Sequence, residues 1–316
     1  MERTQFCILT QLKTALIIFL VLASSAFAGP QEPLFAPDSG MEFAEESKNL
    51  DVEYIPSRME AVQEMLKLGV VGAEDFLVDL GSGDGRIVIT AARMLGTRGL
   101  GVDLNAKLIE FSKRNAVKAG VADLTEFRVQ DFFKTDISQA DVVTLYVLTD
   151  LNLMLRTKLL NELKPGTRIV SQAGHMGEWR PDKIVILDIV IKDRKKIFIY
   201  LWTVPAMVAG KWSWQIPLIK DVPPLFFRGK HFLELKQEFQ DIHGIVKSQN
   251  KQWQIFDSHL KGNRIGFSVA SEAADDRIIR QDYSGEIEGN AINGEVTLSG
   301  AVEKVNIKWR ATREAH

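Results

Sequence analysis

The chain has 316 residues, 46% hydrophobic and 25% charged, with 39 Lys+Arg against 41 Asp+Glu for a net charge of -2. These proportions exclude wholesale disorder, collagen-like repeats and a protein with many membrane spans. The balanced charge speaks against a nucleic-acid partner held by a basic face, and the length allows about two domains.

The N-terminus departs from this average. Arg3 and Lys13 precede an apolar run over residues 15–23, and Ser24-Ser25-Ala26-Phe27-Ala28 follows. A positive flank, a short apolar core and a small-x-small ending predict a signal peptide over residues 1–28, cut after Ala28. The alternative is an uncleaved membrane anchor, but a spanning helix wants about 20 apolar residues. Basic residues ahead of the run keep the N-terminus inside, so the expected location is export to the periplasm or medium. Membrane contact is expected only if the segment stays uncut. The sole cysteine, Cys7, lies within it, so the exported chain has no disulfide and no cysteine metal site. Residues 29–50, with Pro30, Pro33, Pro37 and Gly40 ahead of an acidic stretch, read as a polar tether.

From residue 51 to 215, apolar runs alternate with helical periodicity. Ser57 and Glu60 form a capping-box pair ahead of a helix carrying Met59, Val62, Met65 and Leu66 on one face. Residues 76–80 make a buried strand, and Gly81-Ser82-Gly83-Asp84-Gly85 turns into a helix beginning near Arg86. The next strand ends at Asp103, and residues 106–118 form a helix. Strands follow at 125–129 and 142–146, a helix at 151–163, and strands at 167–171, 184–190 and 197–202. This alternation predicts an α/β fold, a Rossmann-like, mostly parallel sheet with helices on both faces.

A glycine-rich turn between strand and helix lets a ligand approach the backbone at the carboxyl end of the sheet. Asp103 stands where a carboxylate can hold both hydroxyls of a ribose. The dinucleotide fingerprint needs glycine or alanine at position 86, where Arg86 stands. The turn also carries two carboxylates, Asp79 and Asp84. A pyrophosphate on a helix N-terminus wants positive potential, whereas carboxylates favour a cation such as the sulfonium and ammonium of S-adenosylmethionine.

Asp79-Leu80-Gly81-Ser82-Gly83-Asp84-Gly85-Arg86-Ile87-Val88 resembles motif I of the class I S-adenosylmethionine-dependent methyltransferases. The form is similar to a subgroup of bacterial methyltransferases and mitochondrial protein-lysine methyltransferases. The resemblance runs from Tyr54-Ile55-Pro56-Ser57 through Val102-Asp103, Gln130-Asp131-Phe132, Thr144-Leu145-Tyr146 and Leu163-Lys164-Pro165-Gly166-Thr167 to Tyr200-Leu201-Trp202. It implies S-adenosyl-L-methionine as cofactor, bound by Tyr54, Asp79, Gly81, Gly83, Gly85, Asp103, Asp131 and Phe132. In that arrangement Gly81, Gly83 and Asp79 surround the methionine part, Asp103 meets the ribose, and Asp131 meets the adenine amine with Phe132 beside the ring. Against this, the glycines could merely permit a positive φ, Asp103 could cap the following helix, and Phe132 could be core.

No Asn/Asp-Pro-Pro-Tyr motif follows the fourth strand, which argues against methylation of adenine or glutamine amides. Residues 172–179 leave no room for a long helix and read as a loop at the ligand end of the sheet. Tyr146 and His175 are the candidate catalytic residues, with Asp150 and Glu178 nearby in sequence; His175 is the natural proton acceptor near neutral pH. His231, His243, His259 and His316 show no ligand spacing, and no metal is expected.

Residues 216–316 read as a small all-β C-terminal domain. Gly262-Asn263 marks one hairpin, residues 285–296 a second, and Val305, Ile307 and Trp309 alternate in a last strand. From residue 221 on there are 13 basic and 14 acidic residues, so this is no electrostatic clamp for nucleic acid; it serves either to recruit substrate or to cap the first domain. Two functions stay open at this point: an S-adenosylmethionine-dependent methyltransferase acting on a nitrogen acceptor, with a protein lysine foremost and a small metabolite or lipid amine as the alternative, or a non-catalytic nucleoside-binding module of the same fold.

Overall fold

The computed structural model describes residues 35, 54–191, 193–216, 229–272, 277–300 and 303–314. The expected signal peptide and almost all of the expected tether lie outside the described residues. Both sheets belong to one compact unit, Ser39–His316. No helix among the described residues is long and apolar enough to cross a membrane.

The first sheet has seven strands: β1 (Phe76–Leu80), β2 (Arg98–Asp103), β3 (Thr125–Val129), β4 (Val142–Leu145), β5 (Arg168–Gln172), β6 (Lys183–Ile191) and β7 (Asp193–Thr203). Their order is β3-β2-β1-β4-β5-β7-β6, and β7 alone runs against the others. Four helices accompany them: α1 (Met59–Leu68), α2 (Arg86–Leu95), α3 (Ala106–Lys118) and α4 (Thr149–Glu162). The chain builds outward from β1 to β3, then returns to lay β4 on the other side of β1. That reversal opens a crevice above the carboxyl ends of β1 and β4, where open α/β sheets place their ligands.

Alternation along β1 feeds two different layers. Val78 and Leu80 join Val143, Leu145 and the α4 residues Leu155 and Leu159 in one buried cluster. On the opposite face α2 lies so close to β2 that a Cβ on Gly99 would come within 2.8 Å of Val88. Helices therefore cover both faces, though they are few. The start of α1 differs from expectation: its N-cap is Arg58, and no side chain caps it. Ser57 is buried instead, and its carbonyl accepts from the Arg86 guanidinium.

The second sheet is an antiparallel meander of nine strands: β8 (Gly210–Gln215), β9 (Lys230–Glu238), β10 (Asp241–Ser248), β11 (Lys251–Gln254), β12 (Phe256–Lys261), β13 (Arg264–Glu272), β14 (Ile278–Glu288), β15 (Ala291–Gly300) and β16 (Val305–Arg313). The first strand, β8, pairs with both β9 and the last strand, β16. At the other seam Ser258 Oγ donates to the Ile242 carbonyl at 2.8 Å, and the Ile255 N–H to the Gly244 carbonyl at 3.0 Å. The sheet thereby curls into a barrel-like form. It begins at Gly210, ahead of residue 216 where the sequence reading starts the β domain, because Trp212 and Trp214 point into its core.

The turn between β9 and β10 meets the first part of the unit. The Phe239 ring stacks on Trp179 at 5.9 Å and lies under the Arg156 guanidinium of α4 at 5.4 Å. Gln240 Nε2 adds a hydrogen bond to the Arg180 carbonyl at 2.8 Å.

Candidate active site

Everything that converges on the crevice hangs from the turn after β1. The N–H groups of Gly81 and Ser82 both donate to the Val102 carbonyl at 2.9 Å, folding the loop back onto β2. Gly81 and Gly83 hold φ of +89° and +53°, a region in which a side chain is strained. At Gly83 there is also no space, since a Cβ would run into the Tyr54 ring. The tyrosine thus lies directly on the loop. Gly85 (φ +81°) is needed for another reason. A Cβ there would strike Phe127 and Ser112 at 2.8 Å, so this glycine serves the packing of α2 against β3 and α3.

A cleft of about 240 Å³ opens over this loop. Eight of the sequence-predicted site residues line it: Tyr54, Asp79, Gly81, Gly83, Asp103, Asp131, Phe132 and Tyr146. Gly85 is not among the lining residues, for the packing reason just given. His175 is not among them either. It is exposed on the loop after β5, and its Nδ1 accepts the Gly177 N–H at 3.0 Å. Asp150 and Glu178 are exposed and likewise do not line the cleft.

Three carboxylates give the cleft its sign. Asp79 is 2% exposed, and its Oδ1 accepts from the Thr144 hydroxyl at 2.7 Å. Burial pushes its carboxyl up to about 7, against the pull of that hydroxyl, and the neighbouring Asp103 and Asp84 carboxylates add to the rise. Asp103 accepts the Gly83 N–H at 3.0 Å and the Asn105 N–H at 2.9 Å, so it ties the glycine loop to the turn after β2. Burial raises its pKa as well, with those backbone donors opposing. The cap of α3 is Asn105, whose side chain accepts from Lys107 and Leu108; Asp103 is therefore not the helix cap. Asp131 accepts the Phe133 N–H at 2.9 Å and keeps its second oxygen 3.6 Å from Lys134 Nζ.

Asp84 belongs to a different pattern from the one its position suggested. Arg86 grips it with Nε at 2.9 Å and Nη2 at 2.7 Å, in a pair only 4% and 1% exposed. A buried fork of this kind neutralises the carboxylate, so the preference for a cation rests on Asp79, Asp103 and Asp131. The same guanidinium reaches the Ser57 carbonyl and so fastens the segment Tyr54–Ser57 across the cleft. Burial and the Asp84 charge together raise the Tyr54 hydroxyl pKa.

Sequence reasoning missed Phe133, Asn105, Leu104, Val147 and Leu151 as lining residues. The run Phe132-Phe133 was the available signal for the first, because the two rings pack at 4.8 Å. The donor set fits a nucleoside-bearing cation. Carboxylates lie at three points along the cleft, the glycine turn leaves its backbone bare, and Ser82 Oγ is buried there without a partner.

The model of the ANTKMT methyltransferase domain family matches residues 79–183. A protein-lysine N-methyltransferase of Saccharolobus islandicus is 41% identical over 135 residues, 42% of this chain and 84% of that protein. The adenine nucleotide translocase lysine N-methyltransferase of Mus musculus is 32% identical over 137 residues, 43% of this chain and 59% of that protein; this chain thus spans somewhat over half the length of the mouse relative. A solved RNA methyltransferase from Salinibacter ruber, in complex with S-adenosyl-L-homocysteine, is 45% identical with a TM-score of 0.45 and covers 49% of this chain and 96% of its own. With the archaeal relative matched across most of its length, and with this strand order and cleft, the chain belongs to the class I S-adenosylmethionine-dependent methyltransferases, and S-adenosylmethionine is its cofactor.

Proposed function

We propose that the chain transfers a methyl group from S-adenosylmethionine to a nitrogen of a protein side chain, lysine foremost. The observation that carries this acceptor class is the 41% identity to an archaeal protein-lysine N-methyltransferase over 84% of that protein. The cleft supports the donor half. In this reading Asp103 takes the ribose hydroxyls, Asp131 the adenine amino group beside Phe132, and Asp79, Gly81 and Gly83 surround the methionine part under Tyr54.

When bound, the cofactor supplies a sulfonium methyl: the S–CH3 bond breaks as N–CH3 forms, the amine gives up a proton, and a neutral thioether remains. The protein's part is then to hold the two reactants in line and to receive the amine in its uncharged form. In this reading Tyr146, just past the carboxyl end of β4 and lining the cleft, is the side chain that meets the acceptor. The Tyr54–Ser57 segment lines the same cleft.

Incubating the chain with methyl-labelled cofactor and lysate proteins, followed by mass spectrometry, should reveal methylated lysine. Label confined to RNA or to solvent-extractable small molecules would refute the protein acceptor.

The sequence pattern of residues 1–28 supports a second reading, that the chain is exported, with the first sheet carrying transfer and the β domain that begins at Gly210 beside it. N-terminal sequencing of the chain from fractionated cells should then begin at Gly29. A chain starting at Met1 in the cytoplasmic fraction would overturn export.

A further inference from the structure

The carboxyl end of β5 carries a buried polar side chain that the cofactor site does not use. Gln172 is 3% exposed, and its Oε1 has no hydrogen-bond partner. Leaving such an atom unpaired costs about 1–3 kcal/mol, so an orphan beside a functional cleft calls for an explanation.

The backbone around Gln172 is fixed tightly. Ala173 holds φ +65°, a conformation costly for a residue with a Cβ. Its N–H is tied to the Phe198 carbonyl at 2.8 Å, and the Gly174 N–H turns back to the Gln172 carbonyl at 2.8 Å. Gly174 in turn is pressed against Asn152, whose Nδ2 would clash with a Cβ there, and Asn152 Nδ2 is itself bonded to Ser171 Oγ at 2.9 Å. A strained turn held from three sides aims one side chain, and since β4 and β5 run parallel with Leu145 opposite Ser171, the next residue along each, Tyr146 and Gln172, stand side by side. Burial raises the Tyr146 hydroxyl pKa, and the Gln172 amide beside it opposes the rise.

We propose that Gln172 is a positioning residue of the acceptor site: its buried carboxamide anchors the Tyr146 hydroxyl, so that the tyrosine oxygen faces the cleft and receives an N–H of the incoming amine. With its N–H turned to the tyrosine oxygen, the carboxamide ties Tyr146 to β5 and leaves its own Oε1 unpaired. The role of the amine rests on the lysine reading above; the anchoring of Tyr146 does not.

The chain has four tyrosines, few enough for each ring to be followed by NMR in full-length protein labelled with carbon-13 at the tyrosine Cζ. Gln172→Leu should move the Tyr146 signal and shift its titration upward, because the amide N–H that favours the ionised tyrosine is gone. S-adenosylmethionine affinity should stay within twofold, which also reports that the variant is folded. In methyl transfer to a lysine-rich peptide, Gln172→Leu should lower kcat about tenfold. Combined with Tyr146→Phe, it should add little further loss. An unmoved Tyr146 titration, or fully additive losses, would overturn the anchoring. A shifted titration with no methyl transfer to peptide lysine by the unsubstituted chain would leave the anchoring standing and sink the lysine reading instead.

Discussion

The two sheets solve opposite problems. In the first, parallel strands bring the carboxyl ends of β1, β2 and β4 to one edge, and the reversal of strand order between β1 and β4 leaves a cleft there. Its most heavily constrained side chains are charged: Asp79, Asp84, Arg86 and Asp103. In the second, an antiparallel meander closes on itself and fills its own interior. Trp214, Trp309, Tyr283 and Phe267 interlock there with ring centroids 4.8–6.1 Å apart. The barrel-like sheet is a packed core, whereas the parallel sheet has its chemistry outside the core, at the strand ends. Substitutions in the second should therefore lower stability and leave cofactor binding alone, whereas those at the strand ends of the first should change cofactor binding.

Trp309→Ala is the strongest test of that division. The indole is 4% exposed and donates to the Ser284 carbonyl at 3.0 Å. Its removal should cost about 3–5 kcal/mol by denaturant titration while the S-adenosylmethionine dissociation constant stays put. A large loss of cofactor affinity in folded protein would break the comparison.

Asp79→Asn tests the other side, with an effect of similar size and opposite sign. The folded-state pKa of about 7 stands above the usual 3.8. The stability tied to the protonated carboxyl is fully present below pH 4 and is lost as pH rises through 7. The asparagine variant, which cannot ionise, should equal the original in stability near pH 4 and exceed it at pH 8 by on the order of 4 kcal/mol in the cofactor-free state. Cofactor affinity of the original chain should rise with pH through 7, as the carboxylate that meets the cation forms. Parallel stability profiles for the two proteins would remove the buried charge from the account.

Gly83→Ala places a Cβ against the Tyr54 ring in a left-handed backbone. We expect about a hundredfold weaker S-adenosylmethionine binding by calorimetry. The barrel has its own tight glycine, Gly294, where a Cβ would collide with the Ser284 carbonyl. Gly294→Ala should lower the melting temperature without that loss of binding. The smallest expected effect is Arg86→Lys, which keeps the charge but not the fork. With Ser57 and Asp84 no longer gripped together, cofactor dissociation should quicken by about tenfold in stopped-flow traces.

Much of the first sheet is legible in sequence because its signals are local. Residues 76–80, 106–118 and 125–129 are bounded by turn and cap residues, and their predicted spans coincide with β1, α3 and β3. Eight of the candidate site residues do meet at one cleft, since a glycine turn after a parallel strand and a carboxylate ending the next strand must lie side by side. Local signals failed where a residue could serve in two places. Ser57 fits a capping box, yet its backbone is used by Arg86. Gly85 completes the glycine pattern, yet it is required by Phe127 and Ser112. His175 has the right chemistry, but it is exposed and does not line the cleft.

The sequence by itself determined the alternation of strands and helices, the glycine turn with its flanking carboxylates, and the later change to alternating β strands. Each of these is written in residues within a few positions of one another. The tertiary structure alone decided that Arg86 reaches across to the Ser57 carbonyl and that Tyr54 lies on the glycine loop. It also decided that β8 leaves the first sheet for the second, and that Gln172 is buried beside Tyr146. These depend on contacts between segments 26 to 32 positions apart or more. Over such separations, close packing decides which partner a charge or a ring finally meets, and no local periodicity records the choice.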